Sequence, residues 1–313
     1  MEKFVFGIDL GGTTVKLGLL SVEGVLKEKW EIPTRTENGG EQILPDIAAS
    51  VKEKMAALNI TNQQVLGAGL GVPGAVLEDR YVDPCVNLDG WGGDVAGALS
   101  ALCAFPVKAV NDANAAALGE MWRGGGEGCH NVVFVTLGTG VGGGIIVGGK
   151  LLSGVHGAAG ELGHIKMNPH ETECCGCGKK GCLEQYASAT GVVRVARKLL
   201  KGSDAPSALR EFADLSAKNV FDCAKAGDAV AQEVVDTFGR VLGRALANVS
   251  CVCDPEVFVI GGGVSAAGSI ILDAIEKNFR ANAFPASEDT RFTLAVLGND
   301  AGVYGAAHLI LGA

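Results

Sequence analysis

The fold is decided by residues 4–20, FVFGIDLGGTTVKLGLL, in which two apolar runs flank a short turn of glycine and threonine. The runs at residues 4–8 and 15–20 are long enough for two β-strands, and Gly11 and Gly12 permit a tight turn between them. A similar stretch returns at residues 132–147, VVFVTLGTGVGGGIIV, again as strand, glycine-threonine turn and strand. This repetition favours two related domains that face each other.

Strands and helices alternate along the rest of the chain. Further buried strands are predicted at residues 65–70, 107–110 and 257–260. Helices are predicted at residues 43–58, 94–102, 113–122, 192–200, 220–226, 270–279 and 303–311. Between Val230 and Val249 the apolar residues recur at helical spacing, whereas residues 71–91 are rich in turns. The alternation predicts an α/β architecture.

Composition and charge exclude several classes of protein. The chain has 313 residues with 35 acidic and 26 basic side chains, a net charge of −9 that argues against a nucleic-acid partner. No apolar run reaches the ~20 residues that cross a bilayer, so no membrane partner is expected. The first residues lack the apolar core of a signal peptide, and the prediction is a cytoplasmic protein. The 47 glycines indicate many tight turns and close backbone contacts.

Three glycine-rich turns follow predicted strands and offer backbone N–H groups to an anion. For any one of them an ordinary hairpin turn is the stronger interpretation, but the three together favour a nucleotide. The candidate nucleotide-binding residues are Gly11, Gly12, Thr13, Thr14, Gly138, Thr139, Gly140, Gly261 and Gly262. Asp9, at the end of the first strand, is suited to hold Mg²⁺ through water.

Four of the ten cysteines crowd into residues 174–182. In a reducing compartment such a cluster favours metal binding over disulfides, with free thiols as the weaker alternative. Cys175, Cys177 and Cys182 offer three thiolates, and His164 can complete a closed, structural zinc site. Cys174 is an alternative to Cys175, although the Cys-x-Cys-Gly spacing favours Cys175.

Two interpretations are open for the acidic residues outside the cluster. Asp112 follows a strand and precedes a helix, so it is either an ordinary N-cap or a base that accepts a hydroxyl proton. On this motif alone the N-cap is the stronger interpretation. Glu161 and Glu184 lie on either side of the cysteines and either form surface ion pairs or face a cleft.

Taken together, these motifs resemble the ROK family (repressor, open reading frame, kinase) of the actin/sugar-kinase superfamily. The resemblance is carried by Asp9-Leu10-Gly11-Gly12-Thr13-Thr14, Asn111-Asp112-Ala113-Asn114-Ala115, Glu161-Leu162-Gly163-His164, Cys175-x-Cys177-Gly178-x-x-Gly181-Cys182-x-Glu184 and Gly298-Asn299-Asp300-Ala301-Gly302. Within the family the chain is most similar to bacterial glucokinases, through Gly71-x-Pro73-Gly74, Asn87-Leu88 and residues 137–144.

The resemblance implies two ribonuclease-H-like α/β domains around a central cleft. The first would comprise residues 1–112 plus 300–313, and the second residues 113–299 with the zinc-binding loop. It implies transfer of the γ-phosphoryl of ATP, with Mg²⁺, to the 6-hydroxyl of glucose, with Asp112 as the base. Sugar-binding residues would be Asn87, Asn111, Asp112, Glu161, His164 and Glu184. Glucose and ATP would be its ligands, and a homodimer or homotetramer is expected.

Alternatives within and outside this activity stay open at this point. Another hexose of the family's range (fructose, mannose or N-acetylmannosamine) and polyphosphate in place of ATP are consistent with the motifs. A non-catalytic sugar sensor is disfavoured because both Asp9 and Asp112 are present. A repressor is also disfavoured, because the first strand begins at residue 4 and leaves no room for a helix-turn-helix.

Overall fold

The computed structural model describes residues 2–85 and 88–312 of the chain. Its strands are β1 (Phe4–Leu10), β2 (Thr14–Ser21), β3 (Leu26–Pro33), β4 (Val65–Val72), β5 (Val76–Leu77), β6 (Tyr81–Cys85), β7 (Trp91–Asp94), β8 (Val107–Asn111), β9 (Val132–Leu137), β10 (Val141–Val147), β11 (Lys150–Leu151), β12 (Val257–Gly261) and β13 (Arg291–Leu294). Its helices are α1 (Glu37–Gly40), α2 (Ile43–Ala57), α3 (Val95–Cys103), α4 (Asp112–Arg123), α5 (Glu184–Ala187), α6 (Ala189–Gly202), α7 (Ala217–Lys225), α8 (Ala229–Cys253), α9 (Ser269–Arg280) and α10 (Ala301–Leu311).

The strands form two five-stranded sheets with the same topology. The first has the order β3-β2-β1-β4-β8 and the second the order β11-β10-β9-β12-β13. In each sheet the first three strands of this order pair antiparallel with one another. The third, fourth and fifth strands pair in parallel. The α/β class predicted from the sequence is confirmed, and the short internal repetition corresponds to a repeated sheet.

Several strands were missed by the sequence patterns. Residues 71–91 were expected to be turns, but β5, β6 and β7 form a small antiparallel sheet from residue 76 to residue 94. These strands are short and rich in glycine and charged residues, so apolar alternation does not reveal them. The edge strands β3, β11 and β13 were also not predicted, because each is short or half-exposed and lacks a continuous apolar run.

Two helices that cross closely join the two sheets. Helix α10 packs on the first sheet, where Val303 and Ala307 contact β1. Helix α4 packs on the second sheet, where Ala117 and Met121 share a core with β9 and β12. The helices meet at Gly119 and Gly305, where a Cβ atom would lie 2.2 Å and 1.6 Å from carbonyl oxygens of the opposite helix. Side chains at these positions would force the helices apart.

Three glycines of β10, Gly142, Gly143 and Gly144, allow other segments to pack closely on both faces of the strand. A Cβ atom at Gly142 or Gly144 would meet side chains of α4, and one at Gly143 would meet Leu162. Successive strand residues face opposite sides of a sheet. Strand β10 therefore has the helix that begins at Asp112 on one face and residues 160–163 on the other. Among the described residues, no helix is both long and apolar enough to cross a membrane.

Candidate functional site

Asp112 is the first residue of α4 and is not its N-cap. The cap is Asn111, whose side-chain oxygen accepts hydrogen bonds from the backbone N–H groups of Ala113 at 3.0 Å and Asn114 at 3.2 Å. The Asn111 amide nitrogen donates to the carbonyl oxygen of Gly74 at 3.0 Å. The interpretation of Asp112 as an ordinary N-cap is therefore wrong. One oxygen of its carboxylate accepts a hydrogen bond from the N–H of Ala113 at 2.8 Å, and the carboxylate lines a cavity.

A cavity of about 410 Å³ between the sheets contains Asp112, Asp9 and Lys16. Asp9 on β1 lies opposite Lys16 in the antiparallel register with β2. Burial raises the pKa of Asp112, although hydrogen bonds from Ala113 and Asn111 partly oppose this. Burial also raises the pKa of Asp9. The positive charge of Lys16 partly opposes this rise, and the negative charge of Asp112 adds to it. Two carboxylates that line one cavity form a site that suits a cation and a proton acceptor.

Lys16 is a charged residue of this cavity that the sequence motifs did not single out. It is the one charged side chain within the apolar run of residues 15–20. A charge in a strand that is otherwise buried is the signal that marks such a residue in advance. Its ammonium group offers a positive charge beside the two carboxylates.

The two glycine-threonine turns have the predicted form, with different surroundings. In the first, the N–H of Gly11 donates to the carbonyl oxygen of Thr14 at 3.0 Å, and the Thr34 hydroxyl donates to the carbonyl oxygen of Gly11 at 2.7 Å. Gly12 and Thr13 are exposed. The turn is thus held by backbone bonds, and its tip is accessible to a ligand.

The second turn opens on a cavity of about 510 Å³ with largely apolar walls. Gly138 donates its N–H to the carbonyl oxygen of Gly140 at 3.0 Å, and Gly138 and Thr139 line the cavity. Gly262 lines the neighbouring 410 Å³ cavity, whereas Gly261 is buried as the last residue of β12. An adenosine has the shape and polarity for such a cavity, because these sites are mostly apolar with a few polar groups.

The cysteine cluster has the geometry of a metal site. One ligand atom from each of His164, Cys175, Cys177 and Cys182 lies within 4.8 Å of the others. The sulfur atoms of Cys177 and Cys182 are 3.7 Å apart, and Cys175 Sγ is 3.7 Å from His164 Nδ1. Tetrahedral ligands at a Zn–S distance of ~2.3 Å lie about 3.8 Å apart, so the donors fit zinc. Cys174 is exposed and outside the set, which selects Cys175.

His164 connects this cluster to the two glutamates that flank it in sequence. Its Nε2 atom is 3.9 Å from Glu161 Oε2, and its Nδ1 atom is 3.9 Å from Glu184 Oε1. The Cys175 thiol also contacts Glu184 Oε1 at 2.7 Å. The structure thus brings Glu161, His164 and Glu184 together, as the sequence predicted. The remaining predicted sugar ligand, Asn87, lies outside the described residues.

Comparisons with known proteins agree with this architecture. The ROK family model matches residues 5–313. A curated glucokinase of Halalkalibacterium halodurans is 42% identical over 99% of this chain and 95% of its own length. An N-acetylmannosamine kinase of Shigella boydii serotype 18 is 33% identical over 97% of both chains. The structure of a ROK family glucokinase from Streptomyces griseus in complex with glucose and AMPPNP has a TM-score of 0.76, 34% identity and 98% coverage of both chains.

These matches extend over nearly the whole chain and include both sheets and the cysteine cluster. The repeated α/β sheet, the joining helices and the cleft are those of the actin/sugar-kinase fold. The protein is a member of the ROK family.

Proposed function

We propose that this protein is a glucokinase, which transfers the γ-phosphoryl group of ATP to the 6-hydroxyl of glucose. The observation that carries the proposal is the position of Asp112 at the start of α4, where it lines the cavity between the sheets together with Asp9. The relative with the higher identity, at 42%, is a glucokinase, against 33% for the N-acetylmannosamine kinase.

In the proposed reaction Asp112 accepts the proton of the 6-hydroxyl while that oxygen attacks the γ-phosphorus. The bond between the γ-phosphorus and the bridging oxygen breaks, and ADP leaves with the electron pair. Mg²⁺, which Asp9 would hold through water, supplies positive charge to the phosphates. The raised pKa of Asp112 makes it a stronger base than an aspartate with an ordinary pKa, and Asn111 fixes the start of the helix that carries it.

The nucleotide and the sugar would occupy different walls of the cleft. The turns at residues 11–14 and 138–140, with Gly262, would hold the phosphates, and the 510 Å³ cavity would take the adenosine. Asn87, Asn111, Glu161, His164 and Glu184 would bind sugar hydroxyls. Zinc on His164, Cys175, Cys177 and Cys182 would fix the direction of the His164 ring, and a site with four protein ligands has no position left for catalysis.

We also propose a division of the chain at the two crossing helices. One domain comprises residues 1–112 with 300–313, and the other residues 113–299. The close crossing at Gly119 and Gly305 is a suitable pivot for closure of the cleft over both substrates. As a member of this family the protein is proposed to form a homodimer or homotetramer, which light scattering of the purified protein measures.

The test is a panel of phosphoryl acceptors with ATP and Mg²⁺. Glucose, mannose, fructose and N-acetylmannosamine are compared by kcat/KM, and glucose is expected to rank first. A higher kcat/KM for N-acetylmannosamine would instead indicate an N-acetylmannosamine kinase, like the relative from Shigella boydii serotype 18. Binding of sugars without turnover of any of them would indicate a sensor. The same assay with polyphosphate in place of ATP shows which of the two compounds donates the phosphoryl group.

A further inference from the structure

A short segment, residues 184–190, connects Glu184, a proposed sugar ligand, to the second glycine-threonine turn at residues 138–140. Glu184, at the start of α5, lies beside the metal cluster. Its carboxylate also lies against Gly140, where an added Cβ atom would be 2.7 Å from Glu184 Oε2. At the other end of the segment, the N–H of Ala189 donates to the carbonyl oxygen of Gly138 at 2.8 Å. The segment therefore contacts the turn at two points.

Two hydroxyl groups complete the link between Glu184 and the turn. The Ser188 hydroxyl donates to the carbonyl oxygen of Glu184 at 2.7 Å and accepts from the N–H of Gly191 at 2.9 Å. The Thr190 hydroxyl donates to the carbonyl oxygen of Thr139 at 2.7 Å. The two hydroxyl oxygens are 3.0 Å apart. A continuous chain of short contacts thus runs from Glu184 to Thr139.

Of the two hydroxyl groups, that of Thr190 is the one that can change its hydrogen-bond acceptor. Each hydroxyl has one proton, and Ser188 is fully buried with its proton directed to Glu184. Thr190 is exposed and within reach of two acceptors, the carbonyl of Thr139 and the oxygen of Ser188. A shift of Thr139 would let Thr190 turn from one acceptor to the other without leaving a buried group unpaired.

We infer that Ser188 and Thr190 are positioning residues that couple sugar binding to nucleotide binding. This inference rests on the proposed function. When the nucleotide orders the turn at residues 138–140, the chain sets the position of Glu184, and glucose on Glu184 has the reciprocal effect on the turn. Coupling between two sites is symmetric in free energy, so either ligand reports it.

The experiment measures the affinity for glucose with and without saturating AMPPNP by titration calorimetry. The ratio of the two dissociation constants is the coupling factor. In Thr190→Val the hydroxyl is lost and the shape is kept, and the coupling factor is expected to move toward 1 by about three- to tenfold. The affinity for glucose alone is expected to stay within about twofold. Thr190→Ser, the matched control, keeps the hydroxyl and is expected to keep the coupling.

The outcomes separate coupling from a structural role. Ser188→Ala breaks the same chain from the Glu184 side and is expected to lower the coupling as well. An unchanged coupling factor in Thr190→Val, or a factor of 1 in the wild type, would overturn the inference. So would an equal loss of glucose affinity with and without AMPPNP. A wild-type protein that does not phosphorylate glucose overturns the proposed function instead, which a turnover assay shows separately.

Discussion

The tripeptide Asn-Asp-Ala occurs twice in this protein, at residues 111–113 and 299–301. Each copy follows the last strand of its sheet and begins one of the two crossing helices, α4 and α10. Asp112 lines the cavity beside Asp9, and desolvation there raises its pKa. Asp300 instead forms an ion pair with Lys29 of β3, and its side chain is 30% exposed.

The difference between these two aspartates arises outside their local sequence. The two copies differ in helical register, because Asp112 is the first residue of α4 and Asp300 is the N-cap of α10. Strand β3 places Lys29 beside Asp300, whereas Asp112 faces the cleft. A partly exposed ion pair contributes little to stability, whereas a carboxylate that faces a cavity and has a raised pKa is suited to accept a proton. The two aspartates of the repeated tripeptide therefore differ in their surroundings and in the chemistry open to them.

The largest expected effect comes from removal of the proposed base. Asp112→Asn keeps the size of the side chain and the cap at Asn111, but it cannot accept the 6-hydroxyl proton. The expected result is a fall in kcat of about 10²- to 10⁴-fold with glucose affinity largely retained. Steady-state kinetics and calorimetry measure the two quantities.

Asp300→Asn is the matched control for this change. It alters the same residue of the same tripeptide and breaks an exposed ion pair, so kcat is expected to stay within about twofold and stability within about 1 kcal/mol. Near-normal turnover of Asp112→Asn, or comparable losses in both variants, would refute the assignment of different roles.

The next effect concerns the metal cluster, which belongs to the second sheet's half of the chain. Cys177→Ala removes one of four ligands, and the loosened loop is expected to raise KM for glucose and to lower kcat by up to about 10²-fold through misplacement of Glu184 and His164. KM for ATP is expected to rise much less than KM for glucose, because the nucleotide turns are disturbed only indirectly, through Glu184. Kinetics on folded, zinc-depleted protein test this selectivity, and equal weakening of both substrates would contradict it.

Metal analysis provides a second comparison within the cluster itself. The purified protein is expected to contain about one zinc ion per chain. Cys175→Ser is expected to lose zinc, and Cys174→Ser, which changes the exposed neighbour, is expected to retain it. Absence of zinc from protein prepared without chelators would refute the proposed site.

A smaller effect is expected where the second turn meets Glu184. In Gly140→Ala the new methyl group would displace the Glu184 carboxylate, which is the flexible end of its side chain, so the fold should persist. Glucose affinity is expected to fall about tenfold. Gly138→Ala, in the same turn, meets no atom within 4 Å and is expected to leave glucose affinity unchanged. Equal affinities in the two variants would show that Glu184 does not depend on this contact.

The smallest expected effect on catalysis is at Glu171, which ties the zinc loop to α6 and α5. Its side chain is 4% exposed, pairs with Arg194 at 2.6 Å and accepts a hydrogen bond from Tyr186 at 2.6 Å. Burial alone would raise the pKa of Glu171, but the bonds from Tyr186 and Arg194 outweigh it and hold the pKa well below its usual range. Glu171→Gln is expected to lower the free energy of unfolding by about 1–3 kcal/mol at neutral pH.

The dependence of this loss on pH follows from the direction of the pKa shift. A lowered pKa in the folded state contributes stability above the unfolded value of ~4.3, and this contribution is lost as the pH falls below it. The difference between Glu171→Gln and the wild type should therefore shrink in acid, as measured by denaturant unfolding. Glu173→Gln also breaks a bond to Arg194, but its carboxylate is 54% exposed and its loss should be smaller. Equal losses at both positions would contradict the role of burial.

Much of the fold could be predicted because its central strands are apolar and continuous. The strands from β1 to β12 that lie inside the sheets were expected within a few residues of their observed bounds, and so were the helices from α2 to α10 except the short α5. The small β5-β6-β7 sheet and the edge strands were not, because their stability comes from pairing with neighbours and not from an apolar pattern of their own.

The sequence by itself determined the chemistry available at the site: the anion-binding turns, the cysteine and histidine ligands, and the acidic residues at strand ends. Only the tertiary structure decided which of these groups act together. It assigned the cap to Asn111 and freed Asp112, selected Cys175 over Cys174, added Lys16, and placed Glu184 against Gly140. The positions of Lys16 and Glu184 depend on contacts between residues distant in the chain, which local sequence does not reveal. The cap at Asn111 is local, but the same tripeptide at residues 299–301 has its cap at Asp300, so the tripeptide alone does not determine it.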